Sequence, residues 1–444
     1  MRLAQRYGIA LVALLMVGAT VLFFWSENII NYENIKFNSP VELVWWSRDM
    51  SWNYDVQRQC GIHTCRITNK RSRRPWARGV LFYGSNIKTG DFPLPRNEHQ
   101  IWALLHEESP RNTPFVSNKE FLRHFHFTST FSRYSNLPLT TMYLPSGEAL
   151  TSKDYYVTFD GKSKYGYRPS TSVVFLQSDC DTMSGREDYV KELMKHLPID
   201  SYGSCLRNRD LPESLQKDYL NNLYSPELLR FLSEYKFMIA IENAACPDYI
   251  TEKFWRPLIM GVIPIYFGSP TIKDWEPNNK SAIFVNDFQN PQALVEYLNK
   301  LADNKKLYNS YRQHKLNRRN PISNKKLLHN LVTRQYHIGD SSPGASLFEK
   351  FECAVCYHVI NTARNVKADL RHYNCPLEPV YAKMEGQKIP QNVADWRAAM
   401  EVGQCQAKIL DEFFRRNIGF NDAEFDAELN RRIEGNNCSN SSNT

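Results

Sequence analysis

The stretch ENAACPDYITEKFW, residues 242–255, crowds Glu242, Asn243, Asp248, Tyr249, Thr251, Glu252 and Lys253 into one short junction. The apolar run before it, KFMIA, reads as a fully buried strand, and FWRPLIMG after it as a helix body that stops at Gly261. A connection that only had to turn the chain would manage with Gly, Pro or Asn. The space beyond the end of a strand, where a helix begins, is instead where open parallel sheets bind ligands. Lys253 falls in the first turn of that helix, where the macrodipole disfavours a cation by ~0.3–1 kcal/mol. An anion seated there reverses the argument, because backbone N–H groups and the ammonium both face it. Glu252 beside it suits a pair of ribose hydroxyls. The chain has no G-x-G-x-x-G and no Walker loop, so a nucleotide held here is held by side chains. An ordinary polar helix start, with Asp248 as its cap and Lys253 in solvent, is the competing reading.

The elements that must position this junction alternate cleanly in the second half of the chain. SVVFLQS, IDSYGSC, KFMIAIEN, VIPIYFG and AIFVNDF read as strands, and REDYVKELMKHL, SPELLRFLSEY and PQALVEYLNKLADNKKLYNSYRQHK as helices. Such alternation implies parallel βαβ units and a doubly wound sheet. In the first half VELVWW, GVLFYG and IWALLHEE read as strands, and polar residues 151–170 as an interdomain crossing. The expected architecture is α/β, with two Rossmann-like domains facing each other across a cleft. Their expected extents are residues 41–165 and 166–336, followed by a less periodic C-terminal extension, 337–444, with a polar tail.

Composition places that body in a particular compartment. At 444 residues the chain exceeds one ordinary domain. Arg2 and Arg6 precede the uncharged apolar run of residues 9–25, near the ~20 residues a spanning helix needs. This reads as a single-pass signal anchor, with residues 1–8 cytosolic, a short stem at 26–40, and everything beyond in the lumen. The ten cysteines agree with an oxidising lumen. Cys60 and Cys65, and the C-x-x-C of Cys353 and Cys356, are candidates for structural disulfides, since no further C-x-x-C completes a zinc site. Asn279, Asn437 and Asn440 head N-glycan sequons. The net charge of +8 is mild, and its densest run, NKRSRRPWARG, is either a solvated loop or a steering patch for an anion. Nucleic acid is excluded as a lumenal partner.

The junction and the strand after it resemble the α1,3-fucosyltransferase family, glycosyltransferase family 10. The matching residues are Phe237, Glu242, Asn243, DYITEK (248–253), Gly261, Pro264 and YFGSP (266–270). HEESP (106–110) resembles the family's acceptor-side motif and FECAVC its C-terminal C-x-x-C. LPLPR, TFSRYSNLPLTT, LQSDCD, DSYGSCLRNRDLP and TEKFWRPL resemble most closely the branch of fucosyltransferases 10 and 11. The resemblance, over residues 41–357, implies a GT-B arrangement, GDP-β-L-fucose as donor substrate, and inverting transfer without cofactor or metal. It implies Glu108 as general base rather than its neighbour Glu107. It puts Arg186 and Lys253 on the diphosphate, with Asn243, Tyr249 and Glu252 lining the donor pocket. With the anchor at residues 9–25, the expected location is the Golgi membrane, or alternatively that of the endoplasmic reticulum, as a single-pass type II protein with a lumenal body.

On the acceptor side the chain departs from the family. Where better-known members carry a YRRDSD-like segment, FSRYSN (131–136) keeps only Arg133 and Ser135, the acceptor-side candidates. The expected acceptor is N-acetylglucosamine of a glycoprotein glycan, taking an α1,3 linkage. The alternatives are a Ser or Thr hydroxyl on a folded disulfide-rich domain, or a lumenal binding protein that keeps the fold without turnover. Asp179-Cys180-Asp181 is a D-x-D of the kind that holds a metal in GT-A enzymes, but the surrounding motifs belong to a metal-independent family.

Overall fold

The computed structural model describes residues 40–47, 53–163, 171–216, 223–336, 346–361, 366–382, 388–435 and 438. The expected anchor and stem, and the sequons at Asn437 and Asn440, lie outside them. No helix among the described residues is long and apolar enough to cross a membrane. Asn279 is exposed.

Two sheets organise the chain, each with the parallel core that the βα alternation implies. The first runs β2 (Asp55–Cys60), β3 (His63–Thr68), β1 (Val41–Trp45), β4 (Gly79–Tyr83), β5 (Ile101–His106), β6 (Phe127–Thr130). Only β2 and β3 are antiparallel. They join through Gly61 and Ile62, a two-residue turn whose glycine has φ +63°. A tight hairpin needs a left-handed residue there, and this Gly-containing pair was the readable sign of it. The second sheet is fully parallel, in the order β11 (Ile283–Phe284), β10 (Ile263–Phe267), β9 (Phe237–Ile241), β7 (Val173–Leu176), β8 (Ile199–Tyr202).

Both faces of the second sheet are covered by the helices expected from the sequence: α1 (Arg186–Leu193), α2 (Pro226–Ser233), α3 (Glu252–Met260) and α4 (Pro291–Ala302). The long helix read from Pro291 to Lys315 is three pieces, because Asn304 turns its side chain to accept from Leu307 N and starts a new helix. The crossing between domains also falls earlier than residue 165. Leu144 and Leu150 already pack in the second core, and Lys162 Nζ donates to Tyr235 O at 2.6 Å.

The first sheet is covered by residues that read as a separate extension. Alternation along β5 sends Ile101, Ala103 and Leu105 to one face and Trp102 and Leu104 to the other. The first set packs on α5 (Leu347–Asn361), and the second on α6 (Gln391–Arg416) and α7 (Asp422–Glu434). The helices α5, α6 and α7 of the segment read as an extension are therefore part of the first domain, not an appendage. Its periodicity was present: Val393, Trp396, Met400, Gly403, Ala407, Leu410 and Phe414 step by three and four along the 26 residues of α6. Gly403 permits the contact, since a Cβ there would meet Pro114 Cβ at 2.6 Å.

All ten cysteines are paired. Cys353 and Cys356 share a face of α5 and bond to Cys60 and Cys65 on the hairpin, stapling both of its strands to the helix. Cys180–Cys205, Cys246–Cys375 and Cys405–Cys438 complete the set, a connectivity the sequence leaves open.

Candidate active site

The polar junction after β9 is built inward from Glu242. Its carboxylate has no exposure and accepts from both Thr251 N and Thr251 Oγ1 at 2.7 Å. Thr251 in turn is the cap of α3, so Glu242 orders the helix start from behind. Gly268 of the YFGSP motif lies against it, where a Cβ would meet Glu242 Cγ at 2.6 Å. The reading of Asp248 as cap is thereby corrected. Lys253 is not in solvent either: its ammonium lies 3.1 Å from Glu252 Oε1, 3.6 Å from Glu242 Oε2 and 3.0 Å from Thr251 Oγ1. Burial works to lower the Lys253 ammonium, but Glu252 and Glu242 outweigh it and hold it charged above its ordinary value. Burial works to raise Glu252, and Lys253 and Arg256 hold it below.

Arg186, the first residue of α1, lies within electrostatic reach of Lys253. It is 2 % exposed, and its two terminal nitrogens donate to Ile241 O at 3.2 Å and Asp179 O at 2.9 Å. Both terminal nitrogens of the guanidinium that the resemblance puts on the diphosphate are thus already bonded to carbonyls of its own domain, and burial pushes the guanidinium down. Its Nε and the Asn243 Oδ1 are buried without a hydrogen-bond partner among the described residues. A nucleoside diphosphate placed here would meet donors from Lys253, the start of α3 and Arg186 Nε, while the Asn243 Oδ1 is an acceptor suited to an N–H or hydroxyl of the ligand.

The first domain contributes the other wall. β5 ends at His106, and the two carboxylates after it diverge. Glu107 Oε1 accepts from Tyr83 OH at 2.6 Å, and burial pushes its carboxyl up. Glu108 turns toward the second domain, where Tyr249 OH donates to its Oε2 at 3.1 Å. That single contact joins the acceptor-side carboxylate to the donor-side junction.

Arg133 and Ser135 are not presented to an acceptor. Arg133 Nε donates to Asp248 Oδ2 at 2.8 Å and Nη1 to Asp274 Oδ2 at 2.7 Å, and its guanidinium lies over Trp275. Ser135 is buried, bonding to Thr130 Oγ1 and to His372 O. In the same segment Tyr134 is 59 % exposed, whereas Asn136, though exposed, accepts from Thr128 N on its Oδ1 at 2.9 Å. The D-x-D carboxylates also have partners. Asp179 Oδ1 accepts from Arg111 Nη2 at 2.9 Å, and Asp181 Oδ1 from Trp396 Nε1 at 2.8 Å. No cluster of three or more metal-ligating residues occurs among the described residues. The basic run at 69–79 is likewise occupied, with Arg71 on Asp91 and Arg73 on Glu42.

Tyr143 was invisible in the sequence, because MYLPSG carries no motif. It packs against the cores of both domains. Burial first, then Glu108, Glu252, Glu107 and Glu242, push its phenol well above the ordinary range.

Two family models match, "Fucosyltransferase, N-terminal" over residues 21–142 and "Glycosyltransferase family 10 (fucosyltransferase) C-term" over residues 168–368. A protein of Xenopus tropicalis named GDP-fucose protein O-fucosyltransferase 3 is 37 % identical over 402 residues, spanning 88 % of this chain and 84 % of its own length. The protein of that name from Homo sapiens is 39 % identical, spanning 86 % and 81 %. The chain belongs to glycosyltransferase family 10, the fucosyltransferases. Solved structures of an alpha1,3-fucosyltransferase with GDP-fucose and with GDP are each 15 % identical to it. They align at TM-scores of 0.38 and 0.40, covering 67 % and 74 % of this chain and 92 % and 93 % of theirs. The assignment rests on the sequence matches.

The Arg133–Asp248 pair gives a direct expectation. Burial works to raise Asp248, but Arg133, Thr271 and Trp275 hold it below its ordinary 3.8. Because the folded value is the lower one, the pair's contribution is full above about pH 5 and fades as pH falls below 3.8. Arg133→Ala strands a carboxylate that is 4 % exposed and should cost about 3 kcal/mol in denaturant unfolding at pH 7. The gap between variant and wild type should narrow at acid pH; a gap unchanged between pH 7 and pH 3 would remove Asp248 as its origin. For the donor side, Lys253→Ala should weaken GDP binding in titration calorimetry by roughly tenfold or more, as loss of one charged contact of ~1.5–3 kcal/mol. Wild-type affinity would return the junction to a plain helix start.

Proposed function

We propose that this fucosyltransferase transfers L-fucose from GDP-β-L-fucose to a Ser or Thr hydroxyl of a folded, disulfide-rich protein domain in the secretory pathway. The contact from Tyr249 to Glu108 carries the mechanism, because it puts a carboxylate of one domain beside the anion-suited junction of the other. Glu108 takes the proton of the acceptor hydroxyl as its oxygen attacks the anomeric carbon, and the bond from that carbon to the diphosphate oxygen breaks. Configuration inverts in one displacement. Lys253, Arg186 and the N–H groups at the start of α3 receive the charge that develops on GDP. A base so placed is worth roughly 10²–10⁴ in rate.

The protein acceptor is favoured over the expected N-acetylglucosamine by two observations. The relatives above are named for protein O-fucosylation. In addition, Arg133 and Ser135, the residues shared with the better-known members, are committed to internal contacts, leaving Tyr134 exposed in that segment. Incubation with GDP-fucose and free lactosamine, an N-glycopeptide and folded disulfide-rich domains decides it. Transfer should appear on the folded domains and be lost on reducing them; fucose on lactosamine alone would restore the glycan reading. Glu108→Gln should keep GDP binding while transfer falls at least ~10²-fold.

Metal independence belongs to the same reading, supported by the cationic set at the junction and by the partners already on Asp179 and Asp181. Activity should survive EDTA, and Asp179→Asn with Asp181→Asn should retain most of it. Loss on EDTA treatment with recovery in Mn²⁺ would sink this part. The apolar run 9–25 behind Arg2 and Arg6 supports a type II anchor in the Golgi or endoplasmic reticulum membrane. Protease added to sealed microsomes should then leave the body intact.

A further inference from the structure

Residues 368–375 lie largely beyond the matched part of the family, which ends at residue 368, yet they touch both walls of the site. Ala368 N donates to Phe125 O, and Asp369 caps the short turn Leu370–Tyr373. Ser132 and Ser135 hydroxyls donate to the carbonyls of Arg371 and His372. These bonds fix the segment to the first domain. Two residues past Tyr373, Cys375 is bonded to Cys246 of the donor-side junction, with Cα atoms 4.6 Å apart. The segment is thus a clasp tied to one domain by hydrogen bonds and to the other by a covalent bond.

Tyr373 sits at its centre, fully buried. Its ring stacks on His106 at 5.1 Å and meets Phe131 at 4.9 Å, and Phe131 in turn meets Tyr249 at 5.2 Å. Its hydroxyl donates to the main-chain carbonyl of Glu108 at 2.7 Å. Glu108 is therefore held twice, by Tyr373 on its backbone and by Tyr249 on its carboxylate. A core aromatic without this role would need no partner at that carbonyl in particular.

We propose that Tyr373 is a positioning residue for fucosyl transfer, setting the place of Glu108 at the cleft, and that the Cys246–Cys375 bond ties that placement to the donor junction. The inference rests on Glu108 as the base. Tyr373 does not reach the reacting atoms; it acts through the residue that does. Small displacements of a base are costly because proton transfer requires hydrogen-bond reach, and a shift of ~1 Å can cost ~10²-fold.

The test uses the full chain with GDP-fucose and water as the acceptor, read as GDP release, beside GDP titration and thermal melting. Water needs no identified protein substrate and uses the same base. Tyr373→Phe keeps the ring and removes the hydroxyl. It should lower kcat about tenfold, equivalent to about 1.4 kcal/mol, with KM for GDP-fucose and GDP affinity within about twofold of wild type. Cys246→Ala with Cys375→Ala should lower kcat in the same way. If the clasp acts through Tyr373, the triple variant should fall little further than either, a non-additivity that independent structural losses do not produce. Normal kcat in Tyr373→Phe beside a dead Glu108→Gln overturns the positioning role alone. Wild-type turnover in Glu108→Gln overturns the base and this inference together. A Tyr373→Phe variant that loses GDP affinity in parallel with kcat, or fully additive losses, assigns the residue to the core only.

Discussion

One buried carboxylate ties the two domains together beside the site. Asp248 accepts from Arg133 of the first domain and from Thr271 and Trp275 of its own, while its N–H is taken by Ser269 and Thr271. Its φ of +66° is a left-handed conformation, which Asp tolerates better than most residues because its short side chain bonds locally. Four residues of the donor-side junction follow within five positions of it. Tyr249 reaches across to Glu108, Thr251 caps the helix, and Glu252 and Lys253 open it. A different backbone at Asp248 would re-aim all four.

The charges gathered beyond that point are arranged more for a ligand than for stability. Buried ion pairs are weak contributors to folding, since removing two charges from water offsets most of their attraction. Lys253 nevertheless sits between Glu252 and Glu242, with Arg186 near enough to oppose it. Two cations, two carboxylates and a helix start therefore share one junction, where an anionic ligand would compete with Glu252 and Glu242 for Lys253. The unpaired Asn243 Oδ1 and Arg186 Nε lie at the same place.

Chain order hides how the acceptor wall is made. The first sheet is laid down by residues 41–130, but its faces are closed by α5 and α6, and two disulfides span 293 and 291 residues to hold α5 in place. Glu108 then receives its backbone hydrogen bond from Tyr373. The base is consequently not in place until the last quarter of the chain has folded back. Cross-links over such separations remove much of the entropy of bringing those ends together.

Local pattern by itself determined the second sheet, three strands of the first, the junction and the carboxylate pair, but not β2, β3 or β6. Buried parallel strands need continuous apolar runs, and a ligand site at a strand end needs polar residues that no turn requires, so KFMIA followed by DYITEK was legible without a fold. The resemblance carried by the same residues extended that to donor and reaction type. The tertiary structure decided which partner each polar side chain takes. Glu242, Asp248, Arg133, Ser135, Glu108 and Lys253 look equally available in the sequence, yet all have internal partners. What sets Glu108 apart is that its partner, Tyr249, comes from the donor-side junction of the other domain. It also decided the cysteine pairs, the role of the C-terminal helices and the places of Tyr143 and Tyr373. Each of those depends on contacts between residues far apart in the chain, and periodicity within one segment carries no information about which distant segment will cover it.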